Sequence, residues 1–181
     1  MDKKKLSERD ICSKFINPAL EQAGWTAHQI REEVTFTKGQ IMVRGKLHTR
    51  GETKRADYIL YYKKNIPIAV IEAKDNKHNL GAGMQQALGY ADCLQTPFVF
   101  SSNGDGFLLH DQTGLFHPDK VESELGLDQF PSPETLWQLY QQHHGLVSSE
   151  AKLITEYPYY DDGSDRTPRY YQTNAINKTL E

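Results

Sequence analysis

Asp57 and the run Glu72-Ala73-Lys74 place two carboxylates and an ammonium in two strand-like segments, with the acids fifteen residues apart. The first segment reads Arg55-Ala56-Asp57-Tyr58-Ile59-Leu60-Tyr61-Tyr62 and the second Ile66-Pro67-Ile68-Ala69-Val70-Ile71-Glu72-Ala73-Lys74. Both are rich in β-branched and aromatic residues, and only Lys63-Lys64-Asn65 separates them,. A two-residue turn at Lys64-Asn65, with Asn tolerating positive φ, pairs Lys63 with Ile66 and sets Asp57 opposite Glu72. A four-residue loop keeps that register, whereas a three-residue loop throws the two acids onto opposite faces. Opposed strand residues have Cβ atoms about 4.5–5.5 Å apart, so paired carboxylates repel unless positive charge lies between them. A divalent metal ion would relieve that repulsion. Lys74 returns to the Glu72 face because strand side chains alternate with period two. Taken alone, the same residues also fit a hairpin end with solvated charges.

Around this hairpin the chain offers further candidates. At 181 residues it has the length of one domain with a tail, and its formal charge of −3 advertises no nucleic acid,. Local charge differs: Lys38, Arg44, Lys46, Arg50, Lys54 and Arg55 crowd one stretch, with His48 among them and Glu52 the one acid. Gly39, Gly45 and Gly51 suggest loops or a bent ribbon that carries this charge up to Asp57. Upstream, Ser7 with Asp10 three residues later reads as a helix N-cap, and Leu6 with Ile11 as its hydrophobic staple. Asn17-Pro18 then kinks or restarts the helix, and Gly24 ends it. Glu8 shares the face of Ile11 and Cys12, which makes it a candidate fourth acid, although an acid in a first turn also simply favours the helix dipole.

Residues from Val34 to Thr37 and from Gln40 to Val43 look like a first strand or hairpin. A second helix is expected from about Gly81 to Leu94, with Met84, Ala87, Leu88, Ala91 and Leu94 buried and Gln86 and Tyr90 on a neighbouring exposed ridge. Asn103-Gly104-Asp105-Gly106 is a hairpin signal between what should be the last two strands. Pro131-Ser132-Pro133 opens a short helix from Glu134 to about His144. The Tyr-, Asp- and Pro-rich run from Tyr157 to Asp165 reads as a linker or docking strap. Two isolated cysteines, Cys12 and Cys93, without a CxxC, fit a reducing cytoplasm, and no apolar run approaches the roughly 18 residues of a membrane span,.

The order helix, strands, Asp57, Glu72-x-Lys74, helix, strand resembles the PD-(D/E)xK nuclease fold, with Ala56 where the family name has Pro. The expected class is therefore α/β (α+β), restriction-endonuclease-like, with a central mixed β-sheet flanked by helices. More sharply, Arg55 to Tyr61, Ala69 to Lys74, the QxxxY element Gln86 to Tyr90, and Phe98-Val99-Phe100 with Asn103-Gly104 resemble the N-terminal nuclease domain of type I restriction enzyme R (restriction and motor) subunits. Leu20 to Trp25 resembles that domain's first helix end, and Arg169-Tyr170-Tyr171-Gln172 with Ala175-Ile176 the start of its helicase motor. Residues 1–150 would then be the endonuclease domain, and 151–181 a linker and the start of a motor otherwise absent.

The resemblance implies a cytoplasmic, bacterial or archaeal, type I site-specific deoxyribonuclease that hydrolyses unmodified foreign double-stranded DNA after ATP-driven translocation. Partner methylation (M) and specificity (S) subunits would choose the target. Asp57, Glu72, the Ala73 carbonyl and Glu8 would hold Mg²⁺, and Lys74 would position or deprotonate the attacking water. Gln86 and Tyr90 would act beside this centre, while Lys46, Arg50, Lys54 and Arg55 would contact phosphates without reading sequence. ATP would serve the full-length subunit only, since no GxxxxGK[ST] phosphate loop occurs here,. The alternatives are a non-catalytic DNA- or subunit-binding module of the same fold, and a helicase-linked repair nuclease.

Overall fold

A computed structural model describes residues 2–37, 41–44, 47–50, 53–148 and 170–180. Asp2, Ser7 and Gly24 bracket the first helical stretch. Ser7 Oγ accepts the Asp10 N–H while Asp10 Oδ2 accepts the Ser7 N–H, both at 3.2 Å, closing the expected capping box over α1 (Glu8–Ile11),. A π-helical turn, Cys12–Ile16, leads into α2 (Asn17–Gln22). Pro18 has no N–H and its ring crowds the carbonyl four residues back, so the widened turn is the form its restart takes.

Six strands form one sheet: β1 (Ile30–Thr37), β4 (Thr53–Lys63), β5 (Ile66–Ala73), β6 (Phe98–Ser102), β7 (Gly106–Asp111) and β8 (Glu122–Gly126), side by side in that order. Only β5 and β6 run parallel, and α3 (Met84–Leu94) lies between them in the chain. The sheet is thus mixed, as expected, but Glu122–Gly126 extends it by a strand beyond the two expected to close it. That strand has an acid at Glu122 and at Glu124 and only partial burial, so its sequence lacks the apolar alternation of a half-buried strand,. The strands β2 (Ile41–Arg44) and β3 (Leu47–Arg50) pair with each other as a separate ribbon inserted between β1 and β4. The Tyr157 to Asp165 linker, Lys38 and Lys46 lie outside the described residues.

The β4–β5 register decides the site. Tyr58 faces Ile71, Ile59 faces Val70 and Leu60 faces Ala69, so continuing the ladder sets Asp57 opposite Glu72. At the turn Lys63 faces Ile66 and Asn65 has φ 71°, the two-residue turn the sequence suggests. Between these ends the register shifts at Tyr61, which faces Pro67; without an N–H, Pro67 cannot complete a regular ladder,.

One sheet face carries Tyr58, Leu60, Ile71, Phe98, Phe100, Phe107 and Leu109. They pack on Ile11, Ile16 and Leu20 from the first helices and on Leu136, Trp137 and Tyr140 of α4 (Pro133–His143). The other face presents Ile59, Val70 and Val99 to Met84, Ala87, Tyr90, Ala91 and Leu94 of α3. Tyr90 is therefore not on an exposed ridge: at 5 % exposure it belongs to the buried stripe. Its neighbours Ala87 and Leu94, three and four residues away, already place it on that stripe. A last helix, α5 (Tyr170–Leu180), rests on α3. Its Asn174 Nδ2 donates to the Cys93 carbonyl at 3.0 Å, and its Asn177 Nδ2 to the Asn65 carbonyl at 3.2 Å. Cys12 and Cys93 are free, half-buried thiols, and no described helix is long and apolar enough to cross a membrane.

Candidate active site

Glu72 sits near the end of β5, and the alternation that buries Ile71 and Ala73 on one face turns its carboxylate to the other, under the start of α3,. It is 1 % exposed. Oε1 accepts the Lys74 ammonium at 2.6 Å, while Oε2 is buried with no hydrogen-bond partner. Burial pushes the Glu72 pKa up to about 7, against the Lys74 hydrogen bond that lowers it, and Asp57 and Glu8 add repulsion,. A buried carboxylate with one oxygen unsatisfied is costly to leave charged, and either a proton or a positive group at that oxygen would offset the cost,.

Asp57 reaches across to β5, where its Oδ2 accepts the Ala73 N–H at 2.8 Å. The β1–β4 ladder is interrupted beside it: Glu32 faces Tyr58 and Val34 faces Ala56, but Glu33 between them has φ 52°, a left-handed conformation unusual outside glycine,. Strain of this kind gathers where a strand re-aims a side chain.

Lys74 follows Glu72 on the same face, and its Nζ also approaches Gln86 Oε1 at 3.5 Å. Burial works to lower the Lys74 pKa, but the Glu72 hydrogen bond and the charges of Glu72, Glu8 and Asp57 hold it above its ordinary value. The lysine is therefore an ammonium that can neutralise charge and orient a water. It becomes a base only if a carboxylate is taken from it. Gln86 Nε2 donates to Tyr90 Oη at 2.6 Å, joining the two QxxxY side chains directly. Glu8, the first residue of α1, has its pKa raised by burial and then by Asp57, so it shares the acids' field.

A cleft of about 410 Å³ gathers these groups: Glu8, Lys54, Arg55, Asp57, Glu72, Lys74, Gln85, Gln86 and Tyr90. Of the basic candidates, Lys54 and Arg55 reach it, Arg50 lies on β3 of the separate ribbon, and Lys46 is outside the described residues. Two contributors escaped the sequence reading. Gly83 lets α3 start against Glu72, because a Cβ there would lie 2.7 Å from Glu72 Cγ and 3.0 Å from Ser101 Oγ. Ser101, beside Glu72 in the parallel ladder, holds the same turn by accepting the Gly83 N–H at 3.1 Å. The Gly81-Ala82-Gly83 run ahead of the helix is the signal that marks such a close approach,.

The donor set suits a hard divalent cation. The orphaned Glu72 Oε2 and the Asp57 carboxylate supply oxygen, and the Ala73 carbonyl is a third candidate,. Among the described residues no three acidic, histidine or cysteine side chains are close enough to enclose an ion by themselves, so water would complete the shell.

The same chain has recognisable relatives. A family model for the type I restriction enzyme R protein N terminus matches residues 24–117. The type I restriction enzyme EcoAI endonuclease subunit of Escherichia coli is 49 % identical over 97 % of this chain. The EcoKI endonuclease subunit of E. coli strain K12 is 30 % identical over 145 residues, 74 % of this chain. This chain spans only 22 % and 11 % of the length of those two proteins. In structure, a fragment assigned to an HsdR subunit of a type I restriction enzyme from Vibrio vulnificus YJ016 matches with a TM-score of 0.77. That match is 38 % identical in sequence and covers 96 % of this chain and 32 % of the other. The cleft of Asp57, Glu72 and Lys74 thus lies in a chain that belongs to the R proteins of type I restriction enzymes, as their N-terminal region.

Proposed function

We propose that this region is a Mg²⁺-dependent DNA endonuclease centre, cutting double-stranded DNA after a motor in the full-length subunit has moved it. The observation that carries the reading is Glu72: a nearly fully buried carboxylate with one oxygen on Lys74 and the other unpartnered, facing the cleft that Asp57 shares.

A bound Mg²⁺ would supply charge neutralisation at the scissile phosphate and a more acidic water. Asp57 and Glu72 would hold it, with the Ala73 carbonyl as a further donor and Glu8 extending the shell through water. Lys74 keeps an ammonium beside the buried acid, where it orients the attacking water and offsets the charge that develops on the phosphate oxygens. Gln86 and Tyr90 border that ammonium and hold its surroundings in place. Arg55, with Arg50 and Lys46 from the basic stretch of the sequence, would bind phosphates and so give affinity without sequence information. Target choice would then fall to partner methylation and specificity subunits, and ATP hydrolysis to parts of the subunit outside this chain.

The test uses the complete subunit assembled with those partners. With ATP and Mg²⁺ on linear and circular DNA, Asp57→Ala and Lys74→Ala should each abolish cleavage while ATPase activity persists. Undiminished cleavage in both would overturn the nuclease reading and leave a DNA- or subunit-binding module.

A further inference from the structure

Lys54 and Arg55 are adjacent in sequence at the start of β4, yet their surroundings differ. Arg55 is exposed and meets Glu33 at 3.8 Å, a contact that solvent screens,. Lys54 is half buried: its Nζ donates to the Gly89 carbonyl at 3.3 Å and lies 5.4 Å from the centre of the Tyr90 ring. Both of those contacts are on α3. A Cβ at position 89 would come within 3.0 Å of the Lys54 ammonium, so the glycine leaves room for the seat.

From Tyr90 the contacts continue toward the acids. Tyr90 Oη accepts the Gln86 amide at 2.6 Å, and Gln86 Oε1 faces Lys74 Nζ at 3.5 Å. An amide has one donating and one accepting end. With its NH₂ held by Tyr90, Gln86 offers oxygen to the Lys74 ammonium; turned over, it would offer a donor to a donor. The orientation of one amide therefore decides whether Lys74 meets an attractive or a repulsive neighbour.

We propose that Lys54 is a positioning residue for strand cleavage. Its ammonium fixes the Tyr90 ring and the Gly89 turn of α3, Tyr90 fixes the Gln86 amide, and that amide steadies Lys74 on Glu72. The inference rests on the nuclease reading above and gives Lys54 a part distinct from general phosphate binding, since the carbonyl and ring of α3 already engage its charge. The effect would travel 35 residues along the chain, from Lys54 to Gly89, through contacts made only in the folded state.

The experiment measures single-turnover cleavage at saturating DNA, and DNA affinity across a salt series, in the complete subunit assembled with its partners. Lys54→Met keeps the stem and removes the charge, Tyr90→Phe removes the hydroxyl, and Gly89→Ala displaces the ammonium without altering its charge. Each is expected to slow cleavage about 10- to 100-fold, the scale of a small misplacement of a reacting group, with DNA affinity and its salt slope unchanged. The Lys54→Met/Tyr90→Phe double variant should be no slower than the slower single variant, because both break one chain of contacts. Two results would overturn the proposal. One is unchanged cleavage with DNA affinity whose salt slope falls by about 0.9, the mark of a lost phosphate contact. The other is multiplicative slowing in the double variant. Asp57→Ala run alongside separates the two readings: if it still cuts, the nuclease reading fails, whereas if it is dead and Lys54→Met cuts normally, only the role of Lys54 fails. Limited proteolysis that leaves the same stable N-terminal fragment in every variant shows that this region is folded in each.

Discussion

On one face of the sheet Tyr58, Leu60, Ile71, Phe98, Phe100 and Leu109 meet α1, α2 and α4 across a continuous apolar layer. On the other, Ile59, Val70 and Val99 meet the stripe of α3, and Asp57, Glu72, Lys74 and the Gln86–Tyr90 pair occupy the space beside it. The first face pairs the polar groups it buries: the Tyr58 hydroxyl donates to Asn17 Oδ1 at 2.7 Å and Trp25 Nε1 to the Pro131 carbonyl at 2.9 Å,. The second tolerates a buried carboxylate with an unsatisfied oxygen, which a stability-driven core would replace,. On the proposed function the first side is a platform and the second a workplace: the thick face would hold β4, β5 and β6 in place, so that charges on the thin face keep their positions.

The strongest way to break that comparison is to hollow the platform. Phe100 packs on Phe107 and Phe130, with centroids at 6.3 and 4.7 Å, so Phe100→Ala should lower stability by about 3–5 kcal/mol in chemical denaturation,. It should do so without altering which acids face the cleft. A loss below about 1 kcal/mol would mean that the aromatic layer is not what holds the sheet.

On the workplace side the expected effect depends on pH. The Glu72 pKa is raised in the folded protein, so between about 4.5 and about 7 the folded state holds a proton that the unfolded state has released,. Metal-free stability should therefore fall as pH rises through that window and level off above it, and Glu72→Gln should flatten the profile. Mg²⁺ at 100 times its dissociation constant should restore about 2.7 kcal/mol at pH 8 and less at pH 5, where protonated Glu72 competes. Thermal melts across pH, with and without the ion, measure both.

Gly83→Ala tests the close contact between the two elements. Overpacking against Glu72 should cost about 1–3 kcal/mol and weaken divalent-ion binding, read by calorimetry, whereas Gly145→Ala, where an added Cβ meets no described atom beyond its chain neighbours within 4 Å but the φ of 70° disfavours alanine, should cost some stability and leave ion binding unchanged,. The smallest effect is expected at the cap of α1. Ser7→Ala should remove about 1 kcal/mol of stability, and because Glu8 follows the cap directly, it should alter the cleft only through fraying of that first turn,.

Much of this site was legible before folding. Asp57 and Glu72 could be set opposite each other because alternation and a Lys64-Asn65 turn are local properties, written in adjacent residues,. The capping box at Ser7 and Asp10 and the helix start at Ser132-Pro133 are local in the same way. Tyr90 was misplaced because two overlapping stripes compete on α3, and a residue with a polar tip invites the exposed one, although its spacing from Ala87 and Leu94 favours burial. β8 went unseen because an edge strand needs little apolar surface, and only its partner β7 reveals it.

Residue order along the chain, then, settled the identity of the charged groups, the strand that carries each and the face to which each turns, since period and turn chemistry act over a few residues. The distances between elements were left to packing. That α3 would start against Glu72 through Gly83, that burial would lift the Glu72 pKa, and that Lys54 would find its partners on a helix 35 residues away all depend on how far two surfaces approach. Such an approach is set by the summed contacts of the whole core, which no short run of residues encodes.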